Sequence, residues 1–225
     1  MNSKQYHVDR RNFLRSAATI GTGMTGLGLL PLPGFSGAIP SSAYEDNPNI
    51  IGPMAGYSPQ VGTLVSMMNW MRMVVLMSVK GMQQSELDYL HDDSSNSIGA
   101  MLMHLAATER FYQLHTFEGK KWGEWDEKDK ERWTLASELG EPARKNIKGN
   151  NLDYYLDALK EVRQHTLGEL KKRDDQWLLT VDKKWFWGPT NNYCKWFHVC
   201  EHESNHNGQI KWIKSRLPGA KKGGE

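Results

Sequence analysis

A chain of 225 residues with 28 Lys and Arg against 26 Asp and Glu suits one domain with one sizeable core, and its even balance of charge offers no footprint for nucleic acid. Beyond the N-terminal region no apolar run reaches the roughly 20 residues that span a bilayer, so no stable membrane insertion of a mature protein is expected.

Residues 9 to 15 read "DRRNFLR": paired arginines, a polar residue, Phe13 and Leu14, then Arg15. A mildly apolar, Gly-rich run follows to Ala38, broken by proline and too short for a comfortable span. This is the pattern of a twin-arginine signal peptide over residues 1–38, with Ser36 and Ala38 as the small residues of a cleavage site near Ile39. It predicts the twin-arginine export machinery as a partner and a periplasmic or extracytoplasmic location. Its removal takes away Lys4, Arg10, Arg11, Arg15 and Asp9 and leaves a near-neutral chain. Because twin-arginine export carries folded proteins, a metal could be loaded in the cytoplasm.

A Pro/Asn/Gly-rich leader over 39–57 precedes a helical domain over 58–219 and a polar tail over 220–225. Ser58 and Pro59 open a first helix over about 59–83, rich in methionine that serves as flexible core filler. "SELDYLHDDSSNS" is a polar connection, and a second helix runs from about Ser97 to Glu118, stopped by Gly119. Residues 119–150 form a charged, Trp-dotted crossover with short helical pieces. A third helix after Asn151 places Leu152, Tyr155, Leu156, Leu159, Val162, Thr166 and Leu170 on one face, with His165 off that stripe. The aromatic turn "DKKWFWGPTNN" leads into a fourth helix, capped by Asn191 or Asn192 and ended by Pro218 and Gly219. No stretch alternates with period two, so the expected fold is an all-α, four-helix bundle.

Chemistry concentrates in "FHVCEHESNHNGQIKW", residues 197–212. At roughly 100° per residue, Val199, Ile210, Ile213 and Leu217 fall within about 40° of His206, and His202 lies about 40° to the other side. Both imidazoles therefore face the core, at i and i+4, where a shared metal ion can accept their lone pairs. His198 sits at the margin of the stripe, eight residues from His206 and too far along the axis to share its ion. Glu203 lies near the core, and Glu201 faces solvent. A third ligand has to come from elsewhere. On the second helix His104 flanks the apolar face together with Met101 and Thr108, within reach of a neighbouring helix. Glu109 falls inside that apolar face, where a buried carboxylate needs a partner: the outer nitrogen of a metal-bound histidine, or an Arg or Lys. His115 is too far along the axis to share an ion with His104.

"HESNH" spells the HExxH of a zinc protease, whose downstream pattern wants Gly at 209 and His at 212. The chain has Gln209 and Trp212, which excludes that reading. Cys194 and Cys200 lie about 120° apart on one helix and cannot bridge without unwinding it.

The pairing of "SIGAMLMHLAATE" with "HVCEHESNHNGQIKWIKSRL" resembles the DinB/YfiT-like superfamily, over about residues 59–218. The resemblance implies an up-down-down-up bundle holding a single divalent metal on His104, His202 and His206, with Glu109, His198 and Glu203 around those ligands. Zinc or nickel is the expected metal, with iron or manganese as alternatives. Members of the superfamily include metal-dependent hydrolases and enzymes that transfer low-molecular-weight thiols to electrophiles. Three histidines with an open position would activate water or a thiol alike. Export away from reduced cytoplasmic thiol favours hydrolysis of a small-molecule substrate; the alternatives are thiol transfer, or a sealed, non-catalytic metal-binding bundle. A monomer and a homodimer both fit. Trp185 and Trp187 read as packing residues by default and, on the sharper reading, as the rim of a pocket above the metal.

Overall fold

The computed structural model describes residues 47–220; the predicted signal peptide, the start of the leader and the end of the tail lie outside them. Among the described residues the chain is mostly helical. The long helices are α1 (Pro59–Val79), α3 (Ile98–Thr116), α6 (Leu152–Leu170) and α8 (Asn192–Lys214). Shorter ones lie between them: α2 (Gln84–Leu87), α4 (Glu127–Glu138), α5 (Gly140–Asn146) and α7 (Asp175–Leu179). The all-α expectation holds, with one addition. Two-residue strands β1 (Val181–Asp182) and β2 (Thr190–Asn191) pair antiparallel and pinch off the aromatic turn between them.

Local chemistry explains the starts and stops. Ser97, Asn151 and Asn191 each accept a backbone N–H from the third residue on, at 3.1, 3.1 and 2.8 Å, satisfying donors that a helix start leaves free. Ser58 does not cap α1 this way. Its hydroxyl donates to Asp175 on α7 at 2.6 Å, and the same carboxylate oxygen accepts the amides of Gln60 at 2.9 Å and Val61 at 3.2 Å. A side chain more than a hundred residues downstream thus caps the first helix. α1 stops at Val79, short of the expected 83, because Gly81 turns the chain at φ +75°. α2 follows, with Gln83 and Glu86 forming a capping box inside the stretch expected as a polar connection. α3 and α8 each end two or three residues earlier than their expected limits.

α8 packs on α1 and α3, and α3 packs on α6 and on the crossover helix α4. One core cluster gathers Leu102, Trp133, Tyr155, Leu159 and Ile210; the other gathers Leu64, Met68, Tyr112, Leu178 and Trp196. By length and composition α1 is apolar enough to cross a bilayer, where the sequence reading expects no such helix. Within the fold it is a core helix, with Leu64, Val65, Met68 and Val75 buried.

A layer of buried charge crosses the bundle. Each long helix contributes one residue: Arg72 from α1, Glu109 from α3, Arg163 from α6 and Glu203 from α8. Arg72 reaches Glu109 at 2.7 Å and Glu203 at 2.6 Å, and Arg163 reaches Glu109 at 2.8 Å and Glu203 at 2.7 Å. The guanidiniums place further N–H groups on the carbonyls of Leu159 and Met68. Two positive and two negative groups cancel, which is the condition for burying any of them.

Candidate metal centre

His104 from α3 and His202 and His206 from α8 meet at the α3–α8 seam, their ligating atoms within 4.8 Å of one another. The two helices run antiparallel there: Met101 shares a cavity wall with Gln209 and Ile213, His104 meets His202, and Tyr112 meets His198. Val199, Ile210 and Ile213 anchor α8 in the core, which holds the adjoining His202 and His206 edge against α3. His206 is buried, while His104 and His202 are half-buried, so the cluster reaches solvent on one side.

Hydrogen bonds fix which nitrogens face inward. His104 Nδ1 lies 2.8 Å from the carbonyl of Ala136 on α4. A carbonyl only accepts, so Nδ1 carries the proton and Nε2 presents a lone pair. His206 Nδ1 is held in the same way by the side-chain oxygen of Gln209 at 3.1 Å. His202 Nε2 lies 2.8 Å from His104 Nε2 and 3.4 Å from the Thr108 hydroxyl. At that distance the two nitrogens share either the proton of an N–H···N hydrogen bond, with His202 donating, or a cation. Three imidazoles whose ligating atoms lie within 4.8 Å of one another fit a divalent transition-metal ion.

Electrostatics keep these groups neutral. Burial first, then the neighbouring His104, His206 and His198, push the His202 pKa down to about 3. Burial and the proximity of His104 push His206 down to about 4, and burial lowers His104 as well. At neutral pH all three are the neutral imidazoles, each with one free lone pair, that a metal requires.

The residues expected around the ligands behave differently. Glu109 and Glu203 are not partners of the histidines; both bind Arg72 and Arg163. The physical reason is charge: a fully buried carboxylate is stabilised far more by two guanidiniums than by one neutral imidazole. Burial alone would raise the Glu109 pKa, and the attraction of Arg163 and Arg72 outweighs it and holds the group below its ordinary value. Glu203 follows His202 in sequence, so the charge layer braces the ligand-bearing turn of α8. His198 lies outside the triad, its Nδ1 2.9 Å from the Tyr112 hydroxyl and its ring centre 5.4 Å from that of His202.

Sequence reasoning missed the Ala136 carbonyl, because a main-chain acceptor has no signature in residue type. It also missed Arg72 and Arg163, although a lone arginine in the apolar run "NWMRMVV" was a usable signal. Trp185 is buried, edge-on to Trp122 at 4.4 Å and beneath the Lys195 ammonium at 4.0 Å, which makes it a packing residue. Trp187 is exposed and sets its edge against His198 at 5.1 Å. Cys194 and Cys200 are free, and burial pushes the Cys200 thiol up to about 12.

A cavity of about 520 Å³ adjoins the triad, lined by Ser94, Ser95, Asn96, Asn205, Gln209 and Trp212 among others. Its lining residues carry no charged side chain. Gln209 belongs both to this wall and to the His206 hydrogen bond.

A helical bundle that gathers three histidines from two helices at one seam defines a DinB-like fold with the means to hold a metal ion. Comparison with known families agrees, since the model of the mycothiol-S-transferase family matches residues 63–219. The chain belongs to the mycothiol S-transferase family, a DinB-like family of metal-dependent proteins. Among solved structures, a conserved protein from Enterococcus faecalis is similar at 12% identity, covering 68% of this chain and 93% of that one with a TM-score of 0.49. No curated protein matches the chain.

Proposed function

We propose that the protein is a metal-dependent thiol S-transferase that joins an uncharged low-molecular-weight thiol of the mycothiol kind to an electrophile. The observation that carries this reading is the convergence of three neutral imidazole nitrogens on a solvent-reaching seam, in a chain of the mycothiol S-transferase family. Bound by His104, His202 and His206, a divalent ion such as zinc or nickel supplies the Lewis acid that makes a thiol acidic at neutral pH.

The chain's own residues do the rest. Ala136 and Gln209 hold His104 and His206 in the tautomers that present Nε2. The neighbouring cavity takes the body of the thiol: hydroxyls of Ser94 and Ser95 and amides of Asn96, Asn205 and Gln209 suit sugar hydroxyls, and Trp212 offers a flat face. The Arg144 guanidinium on the Ser94 carbonyl and the Arg216 guanidinium over the Trp212 ring border this lining without belonging to it. In the reaction the thiol proton passes to solvent, the sulfur electron pair forms the new carbon–sulfur bond, and the leaving group departs with its bonding pair.

Hydrolysis, favoured in the sequence reading because of the export signal, draws no support from the family. We retain the twin-arginine leader as a proposal for location, which requires a thiol supply outside the cytoplasm. The test is to incubate zinc-loaded protein with mycothiol and 1-chloro-2,4-dinitrobenzene and to measure the S-conjugate by mass spectrometry. Conjugation above the uncatalysed rate, lost in His202→Ala, is the expected result. Ester hydrolysis without conjugation overturns it.

A further inference from the structure

On the other side of the triad from the polar cavity, α8 leads one turn back to His198 and then to the aromatic turn between β1 and β2. Here the protein exposes three large aromatic rings together: Trp122, Phe186 and Trp187, at 39%, 57% and 45%. Scattered apolar side chains on a surface need no explanation, but a contiguous aromatic patch beside a reactive centre does. Trp122 stacks on Phe186 at 4.7 Å, and Phe186 contacts Trp187 at 5.1 Å. All three rings rest on buried Trp185, which the Lys195 ammonium covers and the Lys195–Asp182 ion pair fixes. The ledge is therefore built before any ligand arrives, which removes most of the ordering cost of binding. Its edge is continuous with the triad, Trp187 touching His198 and the His198 ring lying 5.4 Å from that of His202.

We propose that this ledge is the electrophile subsite, and that it selects planar aromatic electrophiles. The inference rests on the thiol-transfer reading, which needs two separate subsites beside the reacting sulfur. The new carbon–sulfur bond forms at an angle to the bond the sulfur already has, so the electrophile cannot occupy the space that holds the body of the thiol. The polar cavity and the aromatic ledge flank the triad, toward the C-terminal and N-terminal ends of α8 respectively. Exposed indole and phenyl faces bind an electron-poor ring by stacking and have no hydrogen bond to offer a small polar alkylating agent.

The test uses the full-length, zinc-loaded protein and two electrophiles that differ in their apolar part: 1-chloro-2,4-dinitrobenzene, which loses chloride, and iodoacetamide, which loses iodide. Trp187→Ala is expected to lower the ratio of kcat/KM for the first over the second at least tenfold, and Trp187→Phe to restore most of it. Independently of turnover, ligand-observed NMR with unreactive 1,3-dinitrobenzene is expected to show Kd rising about tenfold in Trp187→Ala, with metal content unchanged. Unaltered dinitrobenzene binding in Trp187→Ala overturns the proposal. So does a change from dimer to monomer in sedimentation with dinitrobenzene binding intact, which makes the ledge a subunit contact. If no thiol is conjugated to either electrophile while dinitrobenzene binding still depends on Trp187, the subsite stands and the transferase reading falls.

Discussion

Arg72 on α1 donates two hydrogen bonds to a single oxygen of Glu203 on α8, from Nε at 3.0 Å and Nη2 at 2.6 Å, in a region where both side chains are almost wholly buried. The pair is half of a neutral square completed by Glu109 and Arg163. Glu203→Gln is expected to destabilise the protein by about 3–5 kcal/mol, the usual cost of stranding a buried charge. Arg72→Met combined with Glu203→Gln leaves Arg163 paired with Glu109, so the double variant should lose less than the sum of the two singles. Urea denaturation of the three variants measures both quantities.

Replacing His104, His202 or His206 with Ala is expected to abolish stoichiometric metal binding, because each supplies one of the converging nitrogens. His198→Ala should retain the metal, since its Nδ1 is engaged with Tyr112 and the residue stands outside the triad. Elemental analysis of untagged protein checks both statements. Metal lost from His198→Ala but kept in His206→Ala would reverse the assignment.

Acid should weaken the metal-free protein before its carboxylates titrate. The folded pKa values of His202 and His206, about 3 and 4, lie below the unfolded value of about 6.5. Between those limits the unfolded chain takes up protons that the folded chain refuses, so stability is complete above pH 6.5 and falls as the pH drops toward 4. The slope is at most about 1.4 kcal/mol per pH unit for each histidine, reduced by solvent screening at the half-buried His202. Urea unfolding of wild type and His202→Ala at pH 7.5, 6 and 5 should give the shallower dependence in the variant.

Asp175→Ala removes the acceptor shared by Ser58, Gln60 and Val61 at the start of α1. A loss of about 1 kcal/mol, at the scale of other helix caps, is expected in thermal or urea unfolding. Asp175→Asn, which keeps an oxygen acceptor, should recover most of it.

Lysine at both Arg10 and Arg11 is expected to retain the precursor inside the cell, because paired arginines define the proposed export signal. Fractionation of cells followed by immunoblotting reads the result. Undiminished export would mean that residues 1–38 are recognised by another route.

The histidine triad was legible because α8 carries a regular apolar stripe, and angular position on that stripe singles out His202 and His206. His104 needed a second helix: its angular position put it within reach of a neighbour, and the family resemblance named it as the third ligand. The charge square was not legible, since α1 is apolar almost all round and shows no preferred face, so nothing marked Arg72 as inward. Glu109 was recognised as a buried carboxylate in need of a partner, but a helical wheel treats one helix at a time and could not say that the partners come from α1 and α6. The cap on α1 failed for the same reason. Ser58 has the right residue type at the right position, and its hydroxyl points to a residue far along the chain.

The charge square also bears on how the chain is completed during synthesis. Arg72, Glu109 and Arg163 leave the ribosome well before Glu203, and until it follows them the interior holds two guanidiniums and one carboxylate. A nascent chain lacking α8 therefore carries an uncompensated positive charge where the finished core will form, and its three available long helices cannot close around it at low cost. Among the described residues α8 is the last long helix to be synthesised, and it supplies both the balancing carboxylate and two of the three clustered histidines, so closure of the bundle and assembly of the metal centre belong to one event.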